Sequence, residues 1–206
     1  MGKHVEYRPE WVREDFIDFL AEKVNPLWAW KKAKARIVAK HHLSDDFLYM
    51  QLQPNHHFKA TDYQAGQSIL VTVLIAGVRW QRSYSIVEII ENGNLVIAVK
   101  QQGKVSNALT QQPVKSVVEI SQTQGEFVLK TQPHSALMIA SGSGITAIYA
   151  LIKAALKRPQ TVSNIDLIYF TRDDSFHAEL QQLTEHYPQF KYHHVNTRTH
   201  KQHLSQ

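Results

Sequence analysis

Three short stretches of this 206-residue chain combine residue types suited to holding phosphates and flat rings. The first is RSYS, Arg82 to Ser85, late in the apolar run ILVTVLIAGVRWQRSYSIVEII. On a strand, Arg82 and Tyr84 share one face and Ser83 and Ser85 the other. An Arg can grip a phosphate bidentately, and a Tyr two places on can stack on a ring. A hydroxyl or amide beside them can bond a ring nitrogen. A ligand with phosphate at one end and an aromatic system at the other meets all three demands, which describes a flavin nucleotide. The alternative is an edge-strand Arg paired with a neighbouring acid, and a Tyr that only packs.

The second stretch is SGSGITA, Ser141 to Ala147, which fits G-x-G-x-x-A between the strand-like ALMIA and a helical run. Glycines there let a backbone approach a pyrophosphate, and the helix N-terminus supplies N–H donors and positive potential. A simple tight turn is the bland reading. The third is YFTRDD, Tyr169 to Asp174, at the end of the next strand-like run. An Arg at that point suits the 2′-phosphate of NADP, and an acid suits the ribose hydroxyls of NAD. Arg172 comes first, beside Thr171, so NADPH is favoured and NADH is the alternative. Otherwise Arg172, Asp173 and Asp174 form a solvated helix start, with Asp174 or Ser175 as its cap.

The elements that must position these residues fall into three parts. Residues 1–31 form a helical N-terminal extension: Trp11, Phe16, Phe19, Leu20 and Val24 lie near one face of a helix that Pro26 ends. Lys31, Lys32, Lys34 and Arg36 follow, as a solvated linker or as part of an aromatic–basic patch at a membrane surface. Residues 32–133 hold six strand-like runs: ARIVAKHHL, FLYMQLQP, SILVTVLIAG, RSYSIVEII, NLVIAVKQ and SVVEISQ. Turns at 45–46, 64–66, 92–94 and 102–103 separate them, and this pattern predicts a small antiparallel barrel. From residue 134 the period changes to strand, helix, strand, helix, strand, a βαβαβ parallel sheet. Thr131 to Pro133 mark the boundary. The fold class is therefore mixed: N-terminal helix, antiparallel barrel, and a partial α/β domain over 134–206.

Composition narrows the chemistry. The chain has no Cys, which excludes disulfides, thiolate nucleophiles and Cys-held zinc or iron–sulfur clusters within it. Its net charge of +5 comes from scattered Lys and Arg, which suits an acidic partner and points to no nucleic acid. Of twelve His, the adjacent pairs point to opposite faces of strands, and His200 and His203 lie in a polar tail, so no metal site is expected. The N-terminus lacks the apolar core of a signal peptide, so the expected location is cytoplasmic, or peripheral at a membrane.

In order and spacing, AGQ (Ala65 to Gln67), R-x-Y-S (Arg82, Tyr84, Ser85), GKVS (Gly103 to Ser106), GEF (Gly125 to Phe127) and GSGIT (Gly142 to Thr146) resemble the ferredoxin–NADP+ reductase family. The resemblance runs from about residue 32 to the end. Asn25 to Trp28 and the KARIV run look similar to reductases that feed membrane-bound fatty-acid desaturases and related oxygenases. The resemblance implies that Arg82 binds the FAD pyrophosphate, Tyr84 stacks on the isoalloxazine, and Ser85 hydrogen-bonds near the nitrogen that receives hydride. It makes Gly103, Lys104, Val105 and Ser106 a second phosphate loop. Gly142, Gly144 and Thr146 would hold the pyrophosphate and nicotinamide side of NAD(P)H. Thr171 and Arg172 would select the 2′-phosphate.

Two departures stand out. Ala147 replaces the family's usual Pro, and the chain ends before the family's further strands and its Cys-Gly-Pro motif. The resemblance therefore implies a C-terminally truncated member. The strand ALMIA would be left as an apolar edge open to a partner chain, and the following helix partly uncovered. The leading expectation is an enzyme that passes electrons from NAD(P)H through FAD to a ferredoxin-type acceptor on another protein. The alternatives are a non-catalytic or split FAD-binding module, and a membrane-proximal interaction protein with a vestigial flavin site.

Overall fold

The computed structural model describes residues 23–28, 32–129, 134–157 and 163–198. Most of the N-terminal helical pattern, the boundary at Thr131 to Pro133, and His200 and His203 lie outside the described residues. Strands β1 (Lys34–Ser44), β2 (Phe47–Pro54), β3 (Ser68–Ile75), β4 (Val78–Ile89), β5 (Leu95–Lys100) and β6 (Val117–Ile120) close a barrel in the order β1-β2-β5-β4-β3-β6. All their pairings are antiparallel. Alternation drives the closure: Ile37, Met50, Leu52, Ile69, Val71, Ile86, Leu95 and Ile97 turn one face inward and are fully buried. Each such side chain contributes about 1.5–3 kcal/mol relative to exposure.

Two features of the barrel departed from the sequence pattern. The long run around RSYS is a hairpin, with Ala76 (φ 49°) and Gly77 (φ 77°) as the two central turn residues. Both being left-handed matches the tight turn that right-twisted strands need. Ala is an unusual occupant, so the turn carries no Asn-Gly signal. Helix α1 (Lys104–Gln111) stands where a loop was expected. It is eight residues long, and it buries Val105 and Leu109, one turn apart, in the barrel core. Lys40 of β1 ties its far end, donating to the carbonyls of Thr110 (2.6 Å) and Gln112. These are carbonyls that a helix C-terminus otherwise leaves open.

AGQ and GEF, far apart in sequence, lock together. Gln67 donates to the Gly125 carbonyl at 3.2 Å, and Ser68 and Gln124 exchange backbone bonds. Gly66 has φ +94°, and a Cβ there would lie 1.9 Å from the Phe127 carbonyl oxygen.

Beyond the barrel, β7 (Ser135–Ser141), β8 (Asn164–Thr171) and β9 (Phe190–Asn196) form a parallel sheet in the order β7-β8-β9. Helices α2 (Ile145–Leu156) and α3 (His177–His186) make the crossovers. The strand order never reverses, so two right-handed crossovers put both helices on one face. Met138, Ala140, Leu167 and Tyr169 are buried on that face, while Leu137 and Ile139 are 65% and 60% exposed. β7 is the edge strand, as expected. The expectation that α2 would be partly uncovered is corrected. It is buried along most of its length because the barrel covers it: Phe47, Val87 and Ala98 share its core cluster. Lys153 and Lys157 of α2 both reach Glu88 of β4. The cap of α3 also differs: Phe176, at φ 64°, precedes it, in place of Asp174 or Ser175.

Candidate functional site

The ladder between β4 and β5 covers only Ile86 to Ile89 on β4. From Val78 to Ser85, β4 pairs with β3 alone. Its other backbone edge therefore faces a split in the barrel wall. A cleft of about 480 Å3 occupies this split. Trp80, Arg82, Ser83, Tyr84 and Ser85 border it from β4, and Ala98 and Lys100 from β5. Gln102 to Ser106 form its floor, and Ser143, Gly144 and Thr146 border it from the second domain.

Arg82 and Tyr84 lie opposite Val71 and Ile69 in the ladder, and Ser83 and Ser85 opposite Leu70 and Ser68, so the expected alternation holds. All four border the cleft because it opens along the unpaired edge of the strand. Arg82 donates to the Gln81 carbonyl at 2.8 Å and has no carboxylate partner among the described residues. Tyr84 is half-buried, and its hydroxyl is enclosed without a hydrogen-bond partner. Burial pushes the phenol up to about 12, against a smaller pull downward from Arg82. At neutral pH it is a protonated donor.

Gly103 caps α1 in extended conformation, φ −168°, and the amides of Gln102 and Gly103 donate to the Ser106 hydroxyl at 3.2 and 3.1 Å. GKVS is thus the start of a helix, whose first-turn N–H groups are ready for an anion. Lys104 lies over the Trp80 ring, 4.4 Å from its centroid. The indole N–H of Trp80 is a second enclosed donor without a partner. Sequence reasoning missed Trp80, although it sits two residues before Arg82 on the same strand face. Lys100 carried no sequence signal, and Ser143 lay inside the SGSGITA motif with no role of its own assigned.

In the second domain, Gly142 (φ +52°) begins a short 3-10 turn from Gly142 to Gly144 that leads into α2. Its carbonyl accepts from the Tyr169 hydroxyl at 3.3 Å, so Gly142 anchors the turn while Ser143 and Gly144 face the cleft. Thr146 is buried and donates to the Ser143 carbonyl at 3.0 Å.

Thr171 and Arg172 lie elsewhere. Thr171 is buried, and its hydroxyl donates to Asp173 at 3.3 Å. That occupies the proton expected to reach a 2′-phosphate. Arg172 lines a separate cavity of about 550 Å3 with Arg198 and the acids Asp45, Asp46, Asp173 and Asp174. Burial pushes the Asp173 carboxyl up, but hydrogen bonds from Lys100 and Ser175 and the Lys100 charge outweigh it and hold it at about 2. Lys100, which borders the first cleft, lies 2.8 Å from Asp173 of the second cavity. No cluster of His, Asp and Glu among the described residues could hold a metal ion.

One cleft thus brings an Arg, a protonated Tyr and a helix N-terminus of a barrel against a glycine turn on a parallel sheet. Residues 34–129 match the family model "Oxidoreductase FAD-binding domain", and residues 138–205 match "Oxidoreductase NAD-binding domain". The chain belongs to the FAD- and NAD(P)H-binding oxidoreductase family of the ferredoxin–NADP+ reductase type. It is 30% identical to an NADPH oxidoreductase of Mycobacterium tuberculosis, over 81% of this chain and 46% of that protein. It is 26% identical to NADH-cytochrome b5 reductase 1 of Mortierella alpina, over 85% and 61%. Among solved structures, flavohemoglobin from Malassezia yamatoensis with bound FAD and heme superposes with TM-score 0.71 at 19% identity, over 79% of this chain and 45% of that one. The chain spans about half the length of the curated relatives it matches.

FAD and a nicotinamide nucleotide are the cofactors of this family's two domains. The residues present fit FAD: two enclosed donors, on Trp80 and Tyr84, lack partners, and an unpaired guanidinium and an open helix N-terminus stand beside them.

Proposed function

We propose that this chain is the flavin- and nicotinamide-binding part of a reductase that passes electrons from NAD(P)H through FAD to an acceptor on another protein. The observation that carries the reading is the single cleft on which Arg82, Tyr84 and the α1 N-terminus face the Ser143–Thr146 turn. FAD, when bound, supplies a ring that takes up two electrons at once and gives them up singly. Arg82 and the first turn of α1 hold its diphosphate. Tyr84 supplies a flat ring and a donated proton, and Ser85 a hydroxyl for a ring nitrogen. Thr146, committed to the Ser143 carbonyl, keeps the second glycine turn in shape for the nicotinamide nucleotide.

For the reductant, Arg172 and Arg198 support NADPH, and the four Asp in the same cavity support NADH as the alternative. For the acceptor, a ferredoxin-type iron–sulfur protein is supported by the motif resemblance to ferredoxin–NADP+ reductases and by a net charge of +5, which suits an acidic partner. A membrane-bound desaturase or oxygenase system is the setting that Asn25 to Trp28 suggest. Haem is the second reading, supported by the cytochrome b5 reductase and flavohemoprotein names of its relatives. A partner chain that pairs with the open edge of β7 and covers the sheet face bearing the exposed Leu137 and Ile139 fits this geometry.

The test is the visible spectrum of the purified chain mixed with FAD, before and after anaerobic NADPH and NADH. Bleaching with either nucleotide is expected. A flavin spectrum that stays oxidised with both would leave a binding module, and failure to retain FAD would overturn the reading of the cleft.

A further inference from the structure

The β3–β4 hairpin ends in Leu74-Ile75-Ala76-Gly77-Val78, five residues without one polar side chain. Hairpin tips in water are usually built from Asn, Asp or Gly, which suit left-handed backbone and hydrate the turn. Here Ala76 takes the left-handed position at φ 49°, where Asn would fit better. Leu74 is 66% exposed and Val78 54%. Leu74 lies opposite Arg79, and Ile75 opposite Val78, so Leu74 and Val78 project from opposite faces of the ribbon.

That arrangement selects the occupant. A folded partner covers one face of a ribbon, whereas this tip is apolar on both faces and at its apex. Ile75 packs against the barrel core, and a fluid apolar medium can cover the exposed Leu74, the apex and Val78 together. The surroundings carry the charge that would hold such a medium in place. Arg79 follows the tip, and Glu119, the acid bordering the neighbouring cavity, is paired with it at 2.6 Å so that the two charges cancel, while Lys115 is exposed just ahead of β6, the strand beside β3. Pro26 lines that same cavity, and Trp28, two residues on, is 56% exposed. Val114, beside Lys115, is 46% exposed. Apolar tips, an interfacial Trp and cations without excess acid are the components of a peripheral membrane contact. Two residues of strand at each side reach roughly 7 Å, the depth of the headgroup–acyl boundary.

We propose that the Leu74–Val78 hairpin tip inserts into the interface of an anionic lipid bilayer, with Trp28 and Lys115 beside it. The chain then docks peripherally, and no helix among the described residues is long and apolar enough to cross a membrane. The proposal stands independently of the flavin reading.

The experiment is co-sedimentation of the full chain with vesicles of phosphatidylcholine containing about one third phosphatidylserine, and with phosphatidylcholine alone. The wild type is expected to pellet with the anionic vesicles and several-fold less with the neutral ones. Leu74→Glu/Val78→Glu is expected to lower the partition coefficient at least tenfold, and unchanged far-ultraviolet circular dichroism shows that the variant is folded. A Leu74→Trp variant is expected to lose fluorescence to lipids brominated near the headgroup. Three results would overturn the proposal: a wild type that stays in solution, a double variant that pellets like wild type, or a tip-dependent dimer with no vesicle binding. The second would assign membrane binding to other residues, and the third would assign the tip to a protein partner.

Discussion

Arg82 offers the sharpest test of the cleft. Its guanidinium has five donors, one of which is committed to the Gln81 carbonyl, and it has no carboxylate partner among the described residues. Removing it from the free protein therefore breaks no ion pair, and almost the whole effect should appear in the bound state. A charge-assisted hydrogen bond to phosphate contributes about 1.5–3 kcal/mol. The side chain is exposed, and the floor helix shares the phosphate, so the lower half of that range applies. Arg82→Ala should then raise the dissociation constant for FAD by roughly ten- to fortyfold, at about 1.4 kcal/mol per decade. Arg82→Lys keeps the charge but loses the fork, and should fall between the two. The assay is quenching of FAD fluorescence on titration with apoprotein, with the apoprotein's melting temperature as a control. The difference should shrink as salt is raised, because exposed charges are screened. An Arg82→Ala protein with a dissociation constant within about twofold of wild type and an unchanged melting temperature would refute the assigned contact.

Three further outcomes follow from particular contacts. Gly66→Ala sets a Cβ against the Phe127 carbonyl at a left-handed position, and should lower stability by about 2 kcal/mol or more in urea titrations; an unchanged midpoint would contradict the interlock of AGQ with GEF. Asp173 is depressed to about 2 from an ordinary 3.8, so its contribution is complete above pH 4 and is lost as pH falls through about 2. Asp173→Asn should flatten the stability profile across that window, and a variant whose acid limb follows that of wild type would count against the Lys100 pairing. Ile139→Lys on β7 should leave FAD affinity unchanged while abolishing any concentration-dependent association seen by sedimentation, and persistent association would clear this edge of involvement.

The strands were legible because each side chain in them has one place to go. In FLYMQLQP the buried Leu48, Met50 and Leu52 alternate with the less buried Tyr49, Gln51 and Gln53, and that period alone marks a strand. The helix α1 was not legible, because eight residues with Val105 and Leu109 as their apolar pair resemble a loop until a barrel end receives them. The turn at Ala76-Gly77 escaped because Ala carries no left-handed signal. At the site, RSYS, GKVS and the glycine turn were found as separate motifs, and the structure brings them to one cleft. Thr171 and Arg172 were grouped by adjacency, but one is buried and bonded to Asp173 while the other faces a different cavity. Sequence neighbours at a strand end diverge in direction, and only the loop that follows decides where each points. The covering of α2 by the barrel depends on how the domains dock, which no local pattern encodes.

The unreversed strand order has a consequence for how the protein works as a machine. An open parallel sheet makes its ligand crevice where the strand order turns back, since neighbouring loops there part to opposite sides. Among the described residues the sheet β7-β8-β9 has no such point, and the cleft beside its glycine turn has the barrel as its opposite bank. The width of the cleft is therefore not a property of either domain but of the joint between them, which Glu88 with Lys153 and Lys157 bridges at one place and Lys100 with Asp173 at another. These ion pairs therefore act as the set screws of its width.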